Sequence, residues 1–114
     1  MSKTLTRRNH SNFYGVSLKR DMVPGLNTEI RQGKNYSYIV FLENQLIKWK
    51  VIPQLSHHRK VARLNLYHRN RTRNGFHSQY QSAWGTPSGL RDIIQYIRDH
   101  ELYDPQPMGQ SEIQ

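Results

Sequence analysis

The sequence predicts a small α+β domain, a three-stranded antiparallel sheet packed with one or two helices. Three observations predict it. Two apolar runs rich in β-branched and aromatic residues, 36–42 and 46–53, flank Glu43-Asn44-Gln45. That is a hairpin pattern, because Asn tolerates the left-handed backbone of a tight turn. A short alternating run at 13–20, "FYGVSLKR", supplies a third strand. Leu90, Ile93, Ile94 and Ile97 recur at the spacing of one helix face.

Residues 1–11 are polar and read as a flexible basic arm carrying Arg7 and Arg8, residues 12–104 as a single α+β domain, and residues 105–114 as a disordered tail. In the 13–20 strand Tyr14, Val16 and Leu18 share one side. Residues 21–35 carry Pro24-Gly25 and Gly33 and read as a long loop. A turn that pairs Leu42 with Ile47 sets Tyr38, Val40 and Leu42 opposite Ile47, Trp49 and Val51 on an apolar face. Ile39 and Phe41 then share the other face with Lys48 and Lys50, and Pro53 ends the strand. Residues 57–73 fit two readings. As a helix, Val61, Leu64 and His68 share a face; as a strand, Ala62, Leu64 and Leu66 do. The Arg, Lys, Ala and Leu content favours the helix, with Asn74-Gly75 as its stop. "FHSQYQSAWGTPSG" reads as a polar loop bearing aromatics, and Pro87-Ser88 opens the last helix.

The length of 114 residues suits one domain, and the lack of cysteine excludes disulfides, thiolate metal sites and cysteine nucleophiles. No apolar run reaches the roughly 20 residues of a membrane helix, and the basic N-terminus lacks an apolar core. A cytoplasmic, nucleic-acid-associated location with no membrane contact is the expectation. Net charge is +9, and it is segregated. Residues 1–74 hold 15 Lys and Arg against 3 acids, while residues 75–114 hold 2 against 5. The stretch "HHRKVARLNLYHRNRTRNGFH" carries six cations, four histidines and no carboxylate. Like charge crowded in this way repels itself unless an anion meets it. The partner expected is therefore a nucleic acid, DNA in preference to RNA, with an acidic protein surface as the rival.

Catalytic and metal chemistry find less support. The adjacent His57 and His58 have no second histidine at helical spacing, no H-E-x-x-H or nucleophile-elbow pattern occurs, and arginines nearby repel a divalent cation. No cofactor is expected. A metal-free ribonuclease remains a reading, with His68 or His77 exchanging protons beside Arg69, Arg71 or Tyr80. Nucleic-acid binding draws on the arginine forks and on the interleaved aromatics Phe13, Tyr14, Trp49, Tyr67, Phe76, Tyr80 and Trp84, which can stack on bases. Trp49, Tyr14 and Tyr38 are expected in the core, and Trp84 in the open. The candidate nucleic-acid-binding residues are Arg7, Arg8, Lys19, Arg20, Lys48, Lys50, Arg59, Lys60, Arg63, Arg69, Arg71 and Arg73. The chain is thus expected to be a small, basic, non-catalytic protein that binds double-stranded DNA. The alternatives are an inhibitor whose basic face blocks a larger complex, and the ribonuclease.

Short motifs in residues 11–75 also resemble a known family. "SNFYGVS", "GKNYSYIVF" and "KVARLNLY" stand where the ethylene-response-factor-type (APETALA-type) DNA-binding domain has its opening aromatic-basic-Gly-Val, its Gly-Lys-Trp strand and its alanine-rich helix. That domain is also found in phage and mobile-element proteins. Tyr14 replaces the family's basic residue, and the helix segment has one alanine. The resemblance implies a sheet that enters the DNA major groove, with Ser17, Lys19 and the Lys48/Lys50 face towards the DNA.

Overall fold

In the computed structural model, which describes residues 12–69 and 75–103, the described residues form five strands and one helix. The strands are β1 (Asn27–Gln32), β2 (Ser37–Glu43), β3 (Leu46–Leu55), β4 (Val61–Arg69) and β5 (Phe76–Gln81), and the helix α1 is Ser88–Tyr103. Every strand pairs antiparallel with its neighbour in sequence, in the order β1-β2-β3-β4-β5. The α+β class holds. The expected three-stranded sheet is corrected to five strands, and the described residues hold one helix, within the one or two expected.

Four local readings change with it. The 13–20 segment is not a strand: Phe13 and Val16 exchange backbone hydrogen bonds of 2.8 and 3.0 Å around Tyr14-Gly15, whose φ angles are 49° and 86°. The loop at 21–35 contains β1. Its Thr28 and Ile30 are buried while Asn27, Glu29 and Arg31 alternate with them, so Pro24-Gly25 and Gly33 bound the strand instead of dissolving it. Within the 57–73 segment, Val61–Arg69, including most of the stretch that the family resemblance sets on a helix, runs as β4. Leu64 and Leu66 have no exposed surface, and pairing with β3 outweighs the helix propensity of Arg, Lys and Ala. The polar loop after Gly75 begins with β5, a strand hard to see because His77, Gln79 and Tyr80 take positions that apolar residues normally fill.

Pro53 does not end β3, which continues to Leu55. Its pairing with β2 stops at Val51, so β3 has only one neighbour where the proline lies, and the missing N–H costs no ladder bond. The β2–β3 turn pairs Leu42 with Ile47 as expected. One step further the register shifts: Phe41 faces Trp49, so Lys48 is an extra residue in β3. This bulge corrects the expected faces. Ile39 and Phe41 share the buried side with Trp49 and Val51, and Val40 lies beside Lys50 on the other. Trp49 is in the core as expected; Tyr14 is exposed and Tyr38 half-buried, while Trp84 is 68% exposed.

The core lies on one face of the sheet. Ile30, Ile39, Phe41, Trp49, Val51, Leu64 and Leu66 meet the helix stripe Leu90, Ile93, Ile94 and Ile97, and Phe13, Leu18, Val23 and Leu26 close the side. Close approach requires Gly89 at the start of α1, where a Cβ would run into the Trp84 carbonyl. Arg98 fastens the helix to the N-terminal segment, donating to the Met22 carbonyl at 2.7 Å.

The β2–β3 turn has Asn44 and Gln45 at φ 54° and 68°. Asn suits that region and Gln does not. Gln45→Gly is expected to raise stability by about 0.5–1 kcal/mol, read as a higher urea midpoint with an unchanged slope.

Candidate nucleic-acid interface

The bulge decides how β3 meets the helix. Lys48 and Trp49, consecutive in sequence, both reach the same carboxylate on α1. Glu101 accepts from Lys48 Nζ at 2.9 Å and from Trp49 Nε1 at 2.8 Å, and Lys48 also donates to Glu43 at 2.8 Å. Burial works to lower the Lys48 pKa, but the hydrogen bonds and charges of Glu43 and Glu101 outweigh it and hold the ammonium above its ordinary value. On the next strands a second bulge inserts Gln79 between the Tyr67–Ser78 and Leu66–Tyr80 pairs. Gln79 donates to the Tyr96 hydroxyl at 2.9 Å, and Tyr80 stacks on Tyr96 at 4.3 Å while donating to Asp92 at 2.9 Å. The Asp92 bond, then burial, raises the Tyr80 phenol.

Three histidines gather between these contacts. The His68 ring stacks on Trp49 at 4.0 Å, with His100 at 5.1 Å and His77 at 5.6 Å. Burial pushes the His68 pKa down to about 4, and the charges of His100, His77 and Lys48 push the same way against Glu101. His68 is thus a neutral, packed ring at neutral pH. Among the described residues no three histidines or carboxylates converge as metal ligands.

The other face of the sheet has a different character. Strand pairing sets Lys50 beside Tyr67, Gln54 beside Arg63, and Arg69 beside Phe76 on the side away from α1. Lys50 Nζ lies 4.3 Å and the Arg69 guanidinium 5.1 Å from the centre of the Phe76 ring. Arg63 donates to Gln81 at 3.0 Å, and Gln81 donates to Asn65 at 2.6 Å and to Gln54 at 3.2 Å, a row of amides across three strands. Arg31 lies on this face in β1, paired with Glu29 at 3.1 Å. Glu29 is the one strand carboxylate there among the described residues, against Arg31, Lys50, Arg63 and Arg69. None of these side chains belongs to the core cluster, and α1 packs on the opposite face.

The residues singled out from the sequence therefore separate. Lys50, Arg63 and Arg69 come together on the open face, with Arg59 and Lys60 exposed at the β3–β4 turn that borders it. Lys19 and Arg20 are exposed in the segment before β1, away from that group. Lys48, expected beside Lys50, is turned to the helix side and engaged by two carboxylates. Arg7, Arg8, Arg71 and Arg73, with the 1–11 arm and the 105–114 tail, lie outside the described residues. Arg31 was missed, though the alternation of 27–32 would have found it. The meeting of His68, His77 and His100 has no sequence signal, because their spacing follows no local period.

Comparison with protein-family models, with curated proteins and with solved structures finds no match to this chain. Among the described residues, no helix is long and apolar enough to cross a membrane.

The His68 environment predicts a pH effect. Above the ordinary value of 6.5 the ring is neutral folded or unfolded. As pH falls below 6.5 the unfolded ring takes a proton while the folded ring resists until about 4, so stability is lost between those values. The ring keeps some contact with solvent, so screening cuts the loss to about 1–2 kcal/mol. His68→Phe keeps a ring against Trp49 and removes the titration. The drop in urea-unfolding free energy between pH 7.5 and 4.5 should shrink by that amount in the variant.

Proposed function

We propose that this chain is a non-catalytic nucleic-acid-binding protein, working where nucleic acid is found in the cytoplasm, and that the open face of its sheet is the binding surface. The observation that carries this reading is the gathering of Arg31, Lys50, Arg63 and Arg69 with Tyr67 and Phe76 on the face away from α1, with Glu29 as the only opposing strand charge among the described residues. Cations supply affinity through phosphate and released counterions, and the amide row of Gln54, Asn65 and Gln81 supplies donors and acceptors for bases. The histidines support a binder over a ribonuclease, because they lie under α1 on the far side of the sheet from this surface.

The reading predicts binding that weakens with salt. Four phosphate contacts give a log–log slope of roughly −3 to −4, at about −0.7 to −0.9 per contact. Lys50→Gln with Arg69→Gln should make the slope shallower by about 1.4–1.8. Lys48→Gln, whose native charge is engaged by Glu43 and Glu101, should leave the slope unchanged. Fluorescence anisotropy over a salt series measures all three. Absence of binding at low salt refutes the reading and favours an acidic protein surface as the partner.

A further inference from the structure

Resting on the reading that the open sheet face binds nucleic acid, we infer that its ligand is an unpaired strand, laid across β3, β4 and β5 with bases stacked on Tyr67 and Phe76. The first support is width. Five strands at about 4.8 Å spacing set the outer strands about 19 Å apart, whereas the DNA major groove is about 12 Å wide. The face is too broad to enter a duplex groove, and among the described residues the one helix, α1, packs on its far side.

The second support is the placing of the rings. Tyr67 and Phe76 lie on adjacent strands, two register steps apart and on the same face, because Tyr67 faces Ser78 and Arg69 faces Phe76. Such diagonal neighbours are about 7–8 Å apart. Bases in a stacked strand rise by about 3.4 Å, so two successive bases can cover both rings only when unstacked. An unpaired strand offers that, and a duplex, which shows only base edges and backbone, does not.

The third support is the charge around the rings. Lys50 and Arg69 lie over the Phe76 ring, 4.3 and 5.1 Å from its centre, so a base stacking on that ring displaces them towards its own phosphate, and Lys50 is also the cross-strand partner of Tyr67. Each stacking position thus has a cation next to it for the phosphate of the same nucleotide. The Arg69 guanidinium is itself a plane on which a base can stack. Phe76 has no core role to explain it: it lies outside the core cluster, half-buried on the outer strand β5.

The test uses the full chain and fluorescein-labelled 12-mers: oligo-dT, oligo-U and a mixed-sequence duplex. Expected is at least tenfold tighter binding to the single strands than to the duplex at the same salt. Phe76→Leu and Tyr67→Leu should each weaken single-strand binding about tenfold, with the salt slope unchanged and duplex binding unmoved. Circular dichroism confirms folding of each variant. If a variant does not fold, the wild-type preference decides alone. Equal binding to both forms, a preference for the duplex, or folded ring variants with full affinity overturns the inference and leaves the binding reading standing. No binding to any of the three at low salt overturns both. The ratio of oligo-dT to oligo-U affinity distinguishes a DNA strand from an RNA strand.

Discussion

One extra residue in β3 governs the molecule. Lys48 has no counterpart on β2, and its insertion shifts the register between the turn and the rest of the hairpin. In a sheet the side-chain period is two, so one residue exchanges the faces of everything beyond it. With the bulge, Trp49 and Val51 enter the core beside Phe41 and Ile39, and Lys50 is sent to the open side. A regular ladder from Leu42–Ile47 would instead set Trp49 and Val51 on the face of Val40 and Leu42. The core, the helix seat and the charged surface all follow from that insertion.

The two faces manage charge in opposite ways. Behind the sheet, Lys48 is satisfied by Glu43 and Glu101, and Glu101 also holds the indole of a fully buried tryptophan. A carboxylate with several good partners can be tolerated away from water, but removing one partner leaves the rest uncompensated. In front, cations outnumber carboxylates and rest on an aromatic ring and on amides. Repulsion among them opposes folding. That asymmetry, more than the net charge, sets the two faces of the sheet apart.

Much of this was legible in the sequence, and the failures have physical causes. The β2–β3 hairpin and its Leu42–Ile47 pairing follow from Asn44 in a two-residue turn, and α1 follows from Leu90, Ile93, Ile94 and Ile97. The composition of β4 favours a helix because Arg, Lys, Ala and Leu are good helix formers, yet Leu64 and Leu66 need a two-residue period to reach the core. β1 and β5 were hidden by short length and by polar inward residues such as Thr28, His77 and Gln79. The basic character of the site was visible from the run at 57–77, but not which cations share a face. Lys48 and Lys50 look equivalent by alternation, and only the bulge separates them.

The meander also shapes how the chain reaches this state. Each strand pairs with its neighbour in sequence, so loop closures are short, and the sheet can grow one hairpin at a time with little entropy lost at each step. The helix that covers its apolar side follows all five strands in the chain. During synthesis the nascent sheet therefore presents Phe41, Trp49, Leu64 and Leu66 uncovered until α1 has left the ribosome. A bare apolar sheet with free strand edges is prone to stick to its own kind. The interval between β5 and α1 is thus the moment when the apolar side of the sheet is most open to association.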